Sequence, residues 1–186
     1  MTPAPISPAF RKVVIAGALI TAAIAVCGLL GYLPGLSRLG SINPNLVPMA
    51  PSTAICFLIL GLILVLHARK PWQNLGLAVG PSAAILVATF GLLALIGNLA
   101  GIDLTLESTL FPITATLDGI PIGRMSPATG GALFVVGIST VLLLGAKWFR
   151  TSKTIETIVS ALGILVGLVS LTFLLGYLHG TPFMYS

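Results

Sequence analysis

The chain has 186 residues, of which 56% are hydrophobic and 7% charged, with a formal net charge of +5. An ordinary soluble domain carries roughly 25% charged residues, and the mean hydropathy here is +1.11. Those values exclude a soluble globular domain, a disordered chain and a disulfide-built scaffold.

The charges are sparse enough to place individually. None falls in 13–37, 39–66, 71–102, 125–146 or 157–178, and a bilayer core needs about 20 apolar residues per helix. The pattern predicts five transmembrane helices over 13–33, 51–66, 77–97, 127–146 and 157–178. The first is preceded by Arg11-Lys12. It is too long for the 7–15-residue apolar core typical of a signal peptide, so it reads as a retained anchor. The second is short for a bilayer, at about 24 Å, and Leu46-Val47-Pro48-Met49 offers an extension at its start. The third contains Gly80-Pro81; proline opens a helix well at its first position, so Pro81 is expected to begin this helix rather than bend it. Between the third and fourth spans, Leu104–Leu110 suits a short surface helix, and 118–124 a turn leading into the fourth span.

With the N-terminus inside, Arg11, Lys12, Arg69, Lys70, Lys147, Arg150 and Lys153 lie on the inner side, and Arg38 and Arg124 on the outer. That is a positive-inside bias. Trp72 and Trp148 flank the inner basic clusters, where an aromatic belt would place them. The basic balance is thus explained by membrane orientation and implies no nucleic-acid partner.

A pentapeptide G-[Y/N]-L-x-G occurs three times, as GYLPG at 31–35, GNLAG at 97–101 and GYLHG at 176–180. A second pattern, M-x-P-x-T, follows the first two copies at Met49, Pro51, Thr53 and at Met125, Pro127, Thr129. On the predicted topology the first pattern ends each outgoing helix and the second starts each returning one. One unit is therefore a helical hairpin, and such self-similarity marks a repeat architecture. The second glycine of the pentapeptide suits a left-handed helix cap, and the proline suits the first helical turn. Gly31/Gly35, Gly97/Gly101 and Gly176/Gly180 also match the G-x-x-x-G contact motif, but their place at helix ends favours capping. Cys27 and Cys56 fall in the outer parts of their spans, where a thiol is ordinarily an apolar filler.

The stretch Met49-Ala50-Pro51-Ser52-Thr53-Ala54-Ile55-Cys56-Phe57-Leu58-Ile59-Leu60-Gly61 resembles the multi-pass N-terminal regions of bacterial membrane sensor proteins, chiefly histidine kinases and diguanylate cyclases. The run Gly176-Tyr177-Leu178-His179-Gly180-Thr181-Pro182-Phe183-Met184-Tyr185 is similar to the segment that precedes that family's third M-x-P-x-T helix. The second copy departs from the pattern, with Gly130-Gly131 after its threonine and no cysteine beyond. The resemblance implies signal input in a two-component or cyclase system of the bacterial inner membrane. It also implies a homodimer and a cytoplasmic signalling domain in cis.

Ionisable residues inside a membrane usually mark function, and these spans contain none. A proton relay, a charged pore and an acid–base enzyme site are therefore not expected, nor is a cofactor or metal; His67 and His179 lie at opposite ends. The outer side is the better place for a ligand. Pro51 and Pro127 turn positive helix dipole ends outward, with Arg38 and Arg124 nearby, Asp118 in the long loop and Asn98 where the other repeats have tyrosine. Arg124, Asn98, Arg38 and Asp118 are the candidate ligand-binding residues. The plainer alternative is that Arg124 pairs with Asp118 or Glu107 and the loop caps the bundle.

These readings predict an all-α, polytopic transmembrane helical bundle built from helical-hairpin repeats and truncated before a sixth helix. It forms a single sensory domain over 1–186, with repeat 1 at 11–70, repeat 2 at 75–150 and the first half of repeat 3 at 155–186. The rivals are a stand-alone subunit of a larger membrane complex and a small transporter or channel for uncharged solutes.

Overall fold

The computed structural model describes residues 8–40, 47–69, 75–105, 107–110, 116–117, 120–144 and 153–178. Its long helices are α1 (Pro8–Leu30), α2 (Pro51–Arg69), α3 (Leu75–Ala100), α5 (Pro127–Leu144) and α6 (Lys153–Leu178). Each is long and apolar enough to cross a membrane, so the chain is an all-α membrane protein with five candidate spans. Between α3 and α5 lie one helical turn, α4 (Glu107–Leu110), and a two-residue ribbon of β1 (Thr116–Leu117) with β2 (Ile120–Pro121). The ribbon is antiparallel, with Thr116 opposite Pro121. Trp72, Trp148, Asp118 and His179 lie outside the described residues.

Two helix starts differ from expectation. The second helix begins at Pro51, not in the apolar residues before it, and gains its length at the other end by running to Arg69. His67 and Arg69 then sit in its last turn, where a cation meets the negative end of the helix dipole. The third helix begins at Leu75 and carries Pro81 internally. An internal proline forfeits one backbone hydrogen bond, a loss that membrane helices tolerate when neighbouring elements compensate.

The helices pack as two antiparallel hairpins, α1 on α2 and α3 on α5, with α6 laid against α5. The hairpins meet more narrowly, through α2 with α3 and α5. The buried cluster at that junction includes Cys56, Leu60, Val87, Ala94, Met125 and Leu133. Lipid tails are as apolar as leucine, so helices in a membrane associate through close packing rather than through exclusion of water. Small residues supply that packing. A Cβ on Gly91 would stand 2.7 Å from the Gly130 oxygen, and one on Gly137 would stand 2.8 Å from the Ala88 Cβ. In the first hairpin, a Cβ on Gly61 would lie 3.3 Å from the Ala18 oxygen and 4.0 Å from Ala22.

Counting from the first glycine of each pentapeptide brings these contacts into register. Ala18, Ala22, Ala25 and Gly28 of α1 occupy the same steps as Ala84, Ala88, Gly91 and Ala94 of α3. Counting from each Met-x-Pro-x-Thr start, Gly61 is equivalent to Gly137. The repeat is therefore a repeated contact: Gly61 on Ala22 in one hairpin, Gly137 on Ala88 in the other. Three of the same four steps on α6 fall on Gly163, Gly167 and Ser170, which are exposed, and the fourth on Phe173. Nothing lies within 4 Å of a Cβ built on Gly163 or Gly167.

Three threonine hydroxyls within the spans are satisfied locally. Thr21 donates to the Gly17 carbonyl, Thr140 to Val136 and Thr172 to Leu168, each bonding one turn back along its own helix.

Gly91→Ala should be costly and Gly163→Ala nearly silent. Overpacking a tight contact costs about 1–3 kcal/mol, whereas a methyl added into open space changes stability by about 0.5 kcal/mol or less. Unfolding of both variants in bicelles measures the difference, and equal stabilities would contradict the seam.

Candidate functional site

At the end of the bundle where α1 stops and α2 starts, hereafter the loop end, the first two pentapeptides are each folded back on their own hairpin. The chain leaves α1 through turns over residues 31–35, with Pro34 barring further helix and Gly35 at a φ of 82°. The α3 helix ends in a two-bond cap: Ile102 N–H reaches the Gly97 carbonyl at 2.9 Å and Gly101 N–H the Asn98 carbonyl at 3.3 Å, with Gly101 at a φ of 69°. That is the Schellman arrangement, which needs a residue tolerant of positive φ. The first glycine does other work. A Cβ on Gly31 would overlap the Gly40 backbone, and one on Gly97 would stand 2.7 Å from the Ile102 oxygen. So the G-x-x-x-G pairs at 31/35 and 97/101 close loops rather than join helices.

The variable residue of the pentapeptide has one task in both hairpins. Tyr32 donates its hydroxyl to the Met49 carbonyl at 2.9 Å. Asn98 donates its amide to the Met125 carbonyl at 3.0 Å, and also to Ala94 within α3 at 2.8 Å. Met49 and Met125 are the first residues of the two M-x-P-x-T motifs. The two sequence patterns thus occur together because a side chain in one ties down the backbone of the other.

The helix starts themselves differ. In α5, Ser126 precedes Pro127 and caps the helix, with its hydroxyl accepting from Thr129 N–H at 3.2 Å and lying 2.9 Å from the Thr129 hydroxyl. In α2 the equivalent residue is Ala50, which has nothing to offer as a cap. Pro51, Ser52 and Thr53 are nonetheless buried. The polar partner of Ser52 comes from another repeat. Glu107, on the loop after α3, is 2% exposed. One of its carboxylate oxygens accepts the Ser52 hydroxyl, and the other accepts Met125 N–H at 3.2 Å. Among the described residues no cation forms an ion pair with it. A buried charge without a counter-ion is costly unless hydrogen bonds and dipoles offset the loss of water. Two helix N-termini supply that offset, since each favours a nearby anion.

Asp103 presents Glu107. Its carboxylate accepts from Thr105 N–H at 3.1 Å, the Thr105 hydroxyl at 2.9 Å, Glu107 N–H at 3.3 Å and Ser108 N–H at 2.8 Å. Burial works against the Asp103 charge, but the hydrogen bonds from Ser108 and Thr105 outweigh it and hold the carboxyl well below the usual carboxylate range. Burial, and secondly the charge of Glu107, push the Tyr32 hydroxyl up to about 12.

A shallow crevice opens beside this junction, lined by Asn98, Asp103, Thr105, Glu107 and Arg124 among others. Its empty space is about 140 Å³, counting space open to solvent, and it holds no water-sized void. Of the four candidate ligand residues, the structure brings Asn98 and Arg124 to this crevice. Arg38 sits exposed on a short 3-10 turn (Ser37–Leu39) and does not line it. Arg124 forms no ion pair with Glu107, whose oxygens are taken by Ser52 and Met125. Cys27 and Cys56 are free thiols, the first exposed and the second buried. Among the described residues no three His, Cys, Asp or Glu side chains converge so as to hold a metal.

Sequence reasoning passed over Glu107, Ser52 and Asp103 as site residues. One signal was present: the repeats exchange a serine, with Ala50/Ser52 in the first start against Ser126/Ala128 in the second. A serine past the cap position asks for an acceptor elsewhere.

No protein-family model, no curated protein and no solved structure matches this chain.

Ser52→Ala should destabilise more than Tyr32→Phe. The first removes a bond to a charged group, about 1.5–3 kcal/mol, and the second a neutral bond, about 0.5–1.5 kcal/mol. Denaturant unfolding of the two variants ranks them; the reverse order would contradict the weight given to the Ser52–Glu107 bond.

Proposed function

We propose that this chain is the membrane-embedded sensory input module of a longer bacterial signal-transduction protein, of the histidine kinase or diguanylate cyclase type, with no catalytic step of its own. The observation that carries the reading is the Glu107 junction. One loop residue holds the starts of α2 and α5, so an event at the loop end acts on both hairpins together. Arg124 and Asn98 line the adjoining crevice, and in this reading an anionic or carbonyl-bearing ligand engages them from outside. A signal must favour one packing of the hairpins over another by binding the two with different affinity. In this reading the N-terminus is cytoplasmic, the loop end faces outward from the inner membrane, and the module works as a homodimer with its output domain in cis.

The uncovered seam on α6 supports a longer chain. In the other two copies that seam is filled by a returning helix, which is the place a sixth helix would take. The same seam favours the second reading, a subunit that packs onto a larger complex, in which a helix of a partner fills it. Co-purification of a fixed partner with a 19.1 kDa product would select that reading.

Immunoblotting of the source cells with an antibody to 103–124 should give a band well above 19.1 kDa. In that full-length protein, Arg124→Ala should change kinase or cyclase output more than His67→Ala, which lies at the other end of α2. Equal, negligible effects would dispose of the crevice as an input site.

A further inference from the structure

The loop that follows α1 closes on itself and leaves its leucines outside. Its ends touch, with Gly31 against the Gly40 backbone, and the Gly40 carbonyl accepts Met49 N–H at 3.3 Å. Between those ends the backbone is bonded turn by turn. Leu33 N–H donates to the Leu30 carbonyl at 3.0 Å, Leu36 N–H to Leu33 at 3.1 Å and Leu39 N–H to Leu36 at 2.9 Å. Compact loops with joined ends are ordinarily packed by their own side chains. Here Leu33, Leu36 and Leu39 are instead 51%, 40% and 45% exposed. Arg38, in the same short 3-10 turn as Leu39, is exposed as well. It is the single formal charge between Lys12 and Arg69, and among the described residues its side chain has no ion-pair or hydrogen-bond partner.

The depth of this loop follows from α1. The candidate span Arg11–Leu30 has 20 residues, about 30 Å of helix, which matches the hydrocarbon core of a bilayer. Residues 33–39 therefore fall where acyl chains give way to headgroups. A backbone that closes its own hydrogen bonds and carries apolar side chains suits the acyl side of that border. A guanidinium suits the other side, where it pairs with phosphate oxygens. We propose that residues 33–39 form an interfacial foot: the leucines enter the acyl region at the loop end, and Arg38 binds the phosphate of a phospholipid. Exposed leucines alone would suit a protein face equally well. A lone cation among them, at phosphate depth, selects the lipid surface. The second loop lacks this combination, since its exposed Leu104 and Leu110 share their segment with Asp103 and Glu107. The inference rests on the membrane-spanning helices and holds or fails independently of any signalling output.

The test places a nitroxide at Leu33→Cys and, separately, at Leu36→Cys, in a Cys27→Ala, Cys56→Ala background, in bilayers of phosphatidylcholine mixed with phosphatidylglycerol. Both positions are exposed, so a label displaces no packing, and either serves if the other variant does not fold. Spin-label collision with oxygen, which concentrates among acyl chains, is compared with collision with a neutral nickel chelate, which stays in water. Oxygen collision should exceed chelate collision several-fold at both positions. Collision dominated by the chelate would place the loop in water, and weak collision with both would place it against protein; either result overturns the proposal. Arg38→Gln, read from the label at position 33, should raise chelate collision by about two- to fivefold, the upper figure being the shift in partition that one basic residue near an anionic surface is worth. The chelate is neutral, so the lost charge does not itself change its local concentration. An unchanged chelate collision in Arg38→Gln would overturn the phosphate contact.

Discussion

The constraint on which this bundle rests is backbone proximity. In a bilayer there is little to gain from hiding leucine from lipid, so two helices stay together only where their backbones come close enough for dispersion to accumulate. The α3–α5 pair meets this condition at Gly91 and Gly130, where neither glycine has room for a Cβ. The α1–α2 pair meets it less tightly, at Ala18, Ala22 and Gly61. Once the seam fixes the depth of one helix against another, the loop end follows. The Tyr32 hydroxyl can reach Met49, and the Asn98 amide can reach Met125, only if the helices are already in register.

Glu107 adds what the seams cannot. Each seam organises one hairpin, but the hairpins touch each other sparingly. A single carboxylate placed at two helix starts joins them at one end without a counter-ion. The arrangement is stable because the acceptor bonds and both dipoles point at the same pair of oxygens. It is also local, since no second polar group deeper in the bundle repeats the connection among the described residues. Changes at the loop end therefore alter the relation between hairpins while leaving each hairpin's seam intact.

Much of this was legible in the sequence. Uncharged stretches marked the five helices, and the pentapeptide and M-x-P-x-T patterns marked the hairpin ends. The positive φ at Gly35 and Gly101 is the conformation their positions suggested. Pro81 was misplaced because a proline one turn inside a helix and a proline at its start leave the same trace when the flanking residues are all apolar. The short helix over 104–110 contracts to a turn beginning at Glu107, because Asp103 engages the backbone of Thr105 and Glu107 in a local turn that competes with helix. The site itself was the least legible part. A lone glutamate in a surface loop ordinarily faces water or an arginine, and nothing in its neighbours in the sequence discloses that it lies against a residue 55 positions away.

The asymmetry of the two helix starts gives the junction a direction. The second repeat is self-sufficient: Ser126 caps α5, and Asn98 of the same hairpin holds Met125. The first repeat is not, since Ala50 cannot cap and Ser52 looks outward for its acceptor. Its acceptor arrives on the loop of the second repeat. The start of the first hairpin is therefore completed by the second, while the start of the second draws its polar partners from its own repeat. Had both repeats kept a serine at the cap position, each start would close on itself, and the hairpins would lack a polar link. Exchange of one serine between two positions of a repeated motif is thus enough to turn two similar hairpins into a coupled pair.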